Sequence, residues 1–150
     1  AMMIALLFGA TLFNNSLDML GFARGLAEWL DAMQLTPMTA LLAMMAVYLV
    51  LGLFLESLSM MLLTIPIFFP LVQVLGIDPV WFGILVVVAI EISLITPPVG
   101  LNVFILKIMV KNISLATIFR GIVPFFIADL VRLALLLAFP ALVLFLPRLM

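Results

Sequence analysis

The chain has 150 residues, of which 69% are hydrophobic and 9% are charged, and its formal net charge is −1. Soluble domains are about 45–50% apolar and about 25% charged, so this composition indicates an integral membrane protein. The absence of Cys and His excludes thiol and imidazole catalysis, disulfides and nearly all zinc or haem sites. The balanced charge provides no basic surface for nucleic acid, and no phosphate-binding GxxxxGK[ST] motif occurs.

The first segment is apolar but is not a signal peptide, because it lacks an initiator Met, a basic region and a cleavage pattern. At the helical rise, residues 1–17 cover about 25 Å, which is less than the ~30 Å of a bilayer core. We therefore expect a truncated membrane helix over 1–17. This expectation makes the chain a fragment, or the C-terminal part of a longer, transporter-like protein.

Residues 18–36 are predicted to form an amphipathic helix. Arg24, Glu28 and Asp31 share one face of it. The other face is apolar and carries Phe22, Leu26, Trp29, Leu30 and Met33. Two interpretations stay open, a helix lying in the membrane interface and an ordinary amphipathic helix packed on a neighbour.

The segment 39–70 contains a single charged residue, Glu56. It is either one spanning helix over about 39–63 or a re-entrant hairpin with Glu56, Ser57 and Ser59 at its tip, where polar groups line a cavity. Composition alone favours the single helix, because the turn would contain no Pro or Asn. Pro66 and Pro70, one helical turn apart, predict a break or kink.

The next helix has clear start signals. Gly76 suits a left-handed helix end, Asp78 an N-cap, and Pro79 the first helical position. Trp81 follows near the helix entrance, where an amphipathic ring suits the membrane interface.

A break is predicted at residues 96–100, because Pro97 and Pro98 remove two consecutive backbone donors. Apolar helix resumes at about Leu101, so 79–112 is predicted to be a broken helix. Unwound carbonyls and a bare helix N-terminus are costly in lipid unless they coordinate something.

Three basic residues, Lys107, Lys111 and Arg120, assign the segment 107–120 to the cytoplasmic side. A last transmembrane helix is predicted over 122–146. Asp129 and Arg132 within it have i, i+3 spacing and are predicted to form a structural ion pair, with a charge relay as the alternative.

The polar features at membrane depth are the functional candidates: Glu56 with its serines, Glu91 with Ser93, and the break at 96–102. No intramembrane protease motif occurs, so we expect no enzyme. Transport fits the break better, because discontinuous helices bind Na⁺ through unwound carbonyls and side-chain oxygens. Thr96, Asn102 and the carbonyls around 97–100 supply such oxygens, although a proline kink that only shapes the helix is the alternative.

Four blocks of the sequence carry a family resemblance. They are LGLFLE at 51–56, PIFFP at 66–70, GIDPVWFGI at 76–84 and TPPVGLNVF at 96–104. In order and spacing they resemble the DctM-like large permease subunit of tripartite ATP-independent periplasmic (TRAP) transporters, over essentially the whole chain. The first of the family's two inverted repeats has no counterpart in the 150 residues.

The resemblance implies an all-α integral membrane fold, half of an elevator-type ion transporter. Its parts would be an interfacial arm helix at 18–36, a re-entrant hairpin at 39–70, a discontinuous helix at 79–112 and a final transmembrane helix. This replaces the single helix favoured by composition. The implied location is the bacterial or archaeal cytoplasmic (inner) membrane, with a periplasmic C-terminus.

The implied function is Na⁺-coupled import of organic acids of the C4-dicarboxylate or sialic-acid type. A periplasmic substrate-binding protein would deliver the solute, and a small membrane subunit and the missing N-terminal repeat would complete the transporter. No organic cofactor is expected. The Na⁺ site is predicted at Glu56, Ser57, Thr96, Pro97, Pro98, Gly100 and Asn102. Two alternatives remain: a structural N-cap role for Glu56, and a non-transporting truncated fragment with a structural or assembly role.

Overall fold

The structure is a computed structural model that describes residues 2–32, 36–96, 101–110, 113–145 and 147–149. Within these ranges the secondary structure is helical, with no strand. The helices are α1 Met2–Met19, α2 Phe22–Ala32, α3 Pro37–Leu51, α4 Ser57–Val74, α5 Pro79–Ile95, α6 Leu101–Met109, α7 Leu115–Ala138 and α8 Pro140–Leu144, followed by a 3₁₀ turn Pro147–Leu149.

Residues 37–74 form two helices instead of the single helix that composition favoured. A turn at 52–55 separates α3 from α4, and the chain then folds back, so that Tyr48 of α3 meets α4. The Tyr48 and Thr64 hydroxyls are hydrogen-bonded at 2.8 Å, and the Tyr48 and Phe68 rings are 5.5 Å apart. The single-helix prediction is therefore wrong, because the Glu56 carboxylate provides a helix start that composition does not register.

Helix α5 lies at the centre of the hydrophobic core, between the α3–α4 pair and α7. Leu85, Ala89 and Ile92 on it are fully buried. Tyr48 is also fully buried and meets the edge of Phe82 on α5 at 6.4 Å, so one side chain joins three helices. On the other side of α4 lies α1, which runs alongside it.

The start signals of α5 are confirmed. Gly76 has a φ of +67°, and Asp78 accepts hydrogen bonds from the backbone N–H groups of Val80 and Trp81. Pro79 occupies the first turn, where its missing N–H has no partner to lose.

Pro66 and Pro70 do not break α4, which continues through both of them to Val74. The N–H that Pro66 lacks would have bonded the carbonyl of Leu62, and Asn14 of α1 replaces it with its side-chain Nδ2 at 3.1 Å. A neighbouring helix therefore compensates for one of the two missing donors.

Two predicted boundaries differ from the structure. The last long helix, expected over 122–146, is α7 at Leu115–Ala138, because Ser114 caps its start and Pro140 cannot donate to the Leu136 carbonyl at its end. The amphipathic segment, expected over 18–36, is α2 at Phe22–Ala32, because α1 includes Asp18 and Gly21 turns the chain with a φ of +66°.

Helix α2 packs through Leu26 and Ala27 against the core and leaves Trp29 half exposed. Trp81 is buried against α7, and its indole Nε1 donates to the Leu136 carbonyl at 2.8 Å. This carbonyl is the one that Pro140 leaves without an intrahelical donor, so packing gives the ring a partner that sequence patterns do not show.

Two of the described helices, α4 and α7, are long and apolar enough to cross a membrane, and α3 and α5 are shorter apolar helices. Large apolar side chains cover much of the surface, including Phe8 of α1 and Phe125 of α7. Soluble monomers rarely expose such continuous apolar area, so this surface fits lipid or further protein.

Candidate cation site at the α3–α4 turn and the end of α5

The turn between α3 and α4 approaches α5 closely at Gly52. A Cβ atom added to Gly52 would lie 1.9 Å from the Oγ and 2.4 Å from the Cβ of Ser93. Both residues are buried, so neither can move aside into solvent. Only glycine allows this approach, which places the end of α3 on α5 three residues before Thr96.

The Glu56 carboxylate is hydrogen-bonded entirely to the first turn of α4. Oε1 accepts from the backbone N–H of Leu58 at 2.9 Å and from the Ser57 hydroxyl at 3.3 Å. Oε2 accepts from the backbone N–H and the hydroxyl of Ser59 at 3.1 and 3.0 Å. Glu56 is thus the N-cap of α4, and its negative charge offsets the positive end of that helix.

The last turn of α5 presents two hydroxyl groups. Ser93 Oγ donates to the Ile90 carbonyl and Thr96 Oγ1 donates to the Ile92 carbonyl, both at 2.6 Å. Each hydroxyl has used its one proton inside the helix, so its oxygen lone pairs remain available to a cation. The Thr96 oxygen is therefore a possible ligand, and Ser93 is committed to the contact with Gly52.

The remaining predicted site residues lie at and beyond the break. Pro97, Pro98 and Gly100 lie outside the described residues. Asn102 is exposed on the first turn of α6, and no hydrogen bond to its side chain is formed within the described ranges. The structure thus brings the α3–α4 turn onto α5 at Ser93, three residues before Thr96, while the Glu56 carboxylate is bonded to its own helix.

A cluster of three charged side chains joins α5 to α7. Arg132 Nη2 lies 3.2 Å from Asp129 Oδ1, the i, i+3 partner, and 2.7 Å from Oε2 of Glu91 on α5. The sequence prediction did not include Glu91 in this ion pair. The signal that could have found it is the position of Glu91, the one carboxylate inside the apolar helix α5, which needs a cation from a neighbour.

The class of protein follows from comparison with known families. A family model described as "Tripartite ATP-independent periplasmic transporter, DctM component" matches residues 1–142, so the chain belongs to that family. The fold agrees with a membrane permease, since it is all-helical in its described parts and contains candidate spans.

Similar proteins are large permease proteins of TRAP transporters. The chain is 38% identical, over 98% of its length, to a C4-dicarboxylate permease of Pseudomonas aeruginosa. It is 32% identical over 99% of its length to a sialic acid permease of Vibrio cholerae, and 31% identical over 97% to an isethionate permease of Oleidesulfovibrio alaskensis. These similarities favour a permease over a fragment with a purely structural role.

The chain spans only part of these relatives. It covers 34% of the Pseudomonas protein, 35% of the Vibrio protein and 23% of the Oleidesulfovibrio protein. Their names refer to three kinds of organic acid, so similarity alone does not select a substrate.

Proposed function

We propose that this chain is the C-terminal part of a large TRAP permease that imports a small organic acid and couples import to a Na⁺ gradient. The names of the relatives support the class of solute, with C4-dicarboxylates and sialic acid as the leading candidates. The proposal includes a periplasmic substrate-binding protein, a small membrane subunit and an N-terminal repeat of the same subunit. It locates the protein in the inner membrane, with residues 107–120 in the cytoplasm.

The proposed Na⁺ site lies between the α3–α4 turn and the break after α5. The observation that carries it is the contact between Gly52 and Ser93, because it holds the turn that leads into Glu56 and Ser57 against the last turn of α5. In secondary transporters, such interrupted helices bind ions through backbone carbonyls and half-helix ends. The Thr96 oxygen, the Asn102 amide oxygen and the carbonyls at Pro97, Pro98 and Gly100 would be the ligands.

Glu56 and Ser57 take part in this proposal through the tip of the hairpin. The Glu56 carboxylate holds the first turn of α4 in place, and its charge makes the region near the break more favourable for a cation. Direct ligation would require Glu56 to release at least one of its hydrogen bonds to α4.

The test uses the complete permease, meaning this chain together with the rest of its transporter, reconstituted in liposomes. Thr96→Val and Asn102→Leu remove side-chain oxygens and are expected to raise the Na⁺ concentration needed for half-maximal uptake by about tenfold, which equals about 1.4 kcal/mol of binding. Thr11→Val and Asn15→Leu on α1 are matched controls, since the Thr11 hydroxyl also bonds the carbonyl four residues earlier. Uptake with the same Na⁺ dependence in all four variants would exclude the site.

A further inference from the structure

Two carbonyls of α4 lack their normal helical donors. Pro66 has no N–H for the Leu62 carbonyl, and Pro70 has none for the Pro66 carbonyl. The Leu62 carbonyl faces α1, since Asn14 donates to it. Both prolines line cavities between α4 and the end of α1, which is the same side of α4. An unpaired carbonyl costs free energy in an apolar environment, so this side of α4 favours a group that can bond to its carbonyl oxygens.

Asn14 of α1 compensates for only part of this deficit. Its Nδ2 donates to the Leu62 carbonyl at 3.1 Å. Its Oδ1 is buried and has no donor among the described residues. A buried acceptor without a donor is destabilising, so the Asn14 oxygen is an unexplained feature of a contact that is otherwise complete.

A cavity of about 10 Å³ lies at this position, lined by polar Asn14 and Asp18 and by the proline Pro66. That volume accommodates about one water molecule or one ion of similar size. Its other lining residues are Leu17, Phe22 and Ile67. The lining residues carry acceptor oxygens: the amide oxygen of Asn14, the carboxylate of Asp18 and the carbonyl of Pro66, which lacks its normal helical donor.

Asp18 also lines a wider, open cavity of about 530 Å³, together with Arg24 and Pro70. The small cavity therefore lies beside an opening to solvent. Arg24 of α2 is the other charged residue that lines this wider cavity. Among the ion pairs of the described residues, none joins Arg24 to Asp18. The Asp18 carboxylate therefore lines this cavity without an ion pair to Arg24.

We propose that Asn14 Oδ1, the Asp18 carboxylate and the Pro66 carbonyl bind a hard monovalent cation, Na⁺, between α1 and α4. Oxygen donors that include one carboxylate are typical ligands for such an ion. A cation satisfies all three acceptors and neutralises Asp18, whereas a water molecule has only two protons to donate and leaves the charge in place. This site is separate from the one proposed at the α5 break and does not depend on it.

The experiment measures thermal unfolding of the complete permease in detergent while NaCl replaces choline chloride at constant ionic strength. It is done in the parent protein and in the Thr96→Val/Asn102→Leu background, so that failure of the α5 site is recognised separately. Asp18→Asn is expected to raise the Na⁺ concentration for half of the stabilisation by about tenfold in both backgrounds. Glu28→Gln, an exposed carboxylate of α2 outside the cavity, is the matched control and is expected to change nothing.

Variants of Asn14 separate ion binding from packing. Asn14→Asp keeps an oxygen ligand and adds charge, so Na⁺ is expected to stabilise this variant at least as strongly as the parent. Asn14→Leu removes the ligand and is expected to weaken the Na⁺ response, with Asn15→Leu as the exposed control on the same helix. Identical Na⁺ curves for Asp18→Asn and Glu28→Gln, or a Na⁺ response lost in Asn14→Asp and kept in Asn14→Leu, would overturn the proposal.

Discussion

At two prolines of this protein, a neighbouring helix supplies the hydrogen-bond donor that the proline lacks. The two contacts differ in whether the side chain that donates also has an acceptor left unpaired. Pro140 leaves the Leu136 carbonyl of α7 without a donor, and Trp81 of α5 donates to it at 2.8 Å. Pro66 leaves the Leu62 carbonyl of α4 without a donor, and Asn14 of α1 donates to it at 3.1 Å. In each case a side chain from another helix replaces a missing backbone N–H.

The difference lies in what each donor brings with it. An indole has one polar atom, a donor, so the Trp81 contact leaves no polar group unpaired, and the ring is only 8% exposed. An amide carries an acceptor as well, and the oxygen of Asn14 is buried beside a small cavity and has no donor within the described ranges. We call the α5–α7 contact closed, because the Trp81 side chain has no polar atom left unpaired. We call the α1–α4 contact open, because the Asn14 oxygen has no donor among the described residues.

The largest expected effect tests the closed contact. Trp81→Ala removes a buried ring together with its donor and is expected to destabilise the complete permease by about 3–5 kcal/mol. Unfolding in a denaturing detergent titration measures it, with exposed Trp29→Ala of α2 as the control. A loss for Trp81→Ala no greater than that for Trp29→Ala would contradict the burial of this ring.

Trp81→Phe isolates the hydrogen bond, because it keeps most of the ring and leaves the Leu136 carbonyl unpaired. The expected loss is about 1–3 kcal/mol. Pro140→Ala restores a backbone N–H for that carbonyl, so the double variant is expected to recover most of the loss, and the double-mutant cycle gives the coupling. Additive effects of the two substitutions would show that Pro140 is not the reason for the Trp81 contact.

Asn14→Leu is the corresponding change at the open contact. It is expected to cost about 1 kcal/mol without Na⁺, less than Trp81→Phe, because it removes an unpaired acceptor along with the donor. Adding Pro66→Ala should recover this loss. With saturating Na⁺ the cost of Asn14→Leu is expected to grow, while that of Trp81→Phe stays constant. A Na⁺-independent cost for both variants would remove the distinction between the contacts.

The smallest effect concerns the start of α4. Here the residue next to the helix, Glu56, caps the free backbone N–H groups, whereas the proline-freed carbonyls of Leu62 and Leu136 are bonded by other helices. Glu56→Gln keeps acceptor atoms and loses the charge at the start of α4, so about 0.3–1 kcal/mol of stability is expected to be lost. Glu56→Ala also removes the cap and is expected to cost about 0.5–2 kcal/mol, as is Asp78→Ala at the start of α5. Full uptake by Glu56→Gln would confine Glu56 to its capping role, whereas a large rise in the required Na⁺ would assign it to the ion site.

Local signals in the sequence were sufficient where one short segment contains all of the chemistry. Gly76, Asp78 and Pro79 form a helix end and a helix start through their own backbone preferences, and the structure has both. Composition failed at the α3–α4 turn because a carboxylate that caps its own helix has the same hydropathy as one that is buried. The ligand roles of Thr96 and Asn102 remain predictions from sequence.

The sequence by itself determined the membrane class, the family blocks and the helix starts at Pro79 and Leu101. Tertiary structure decided which groups pair, since Asn14 and Leu62, Trp81 and Leu136, and Glu91 and Arg132 are separated by 48, 55 and 41 residues. The physical reason is that α3 and α5 are apolar on almost every side, so periodicity does not indicate which face meets a neighbour. Only packing selects the face, and with it the partner of each carbonyl that a proline leaves free.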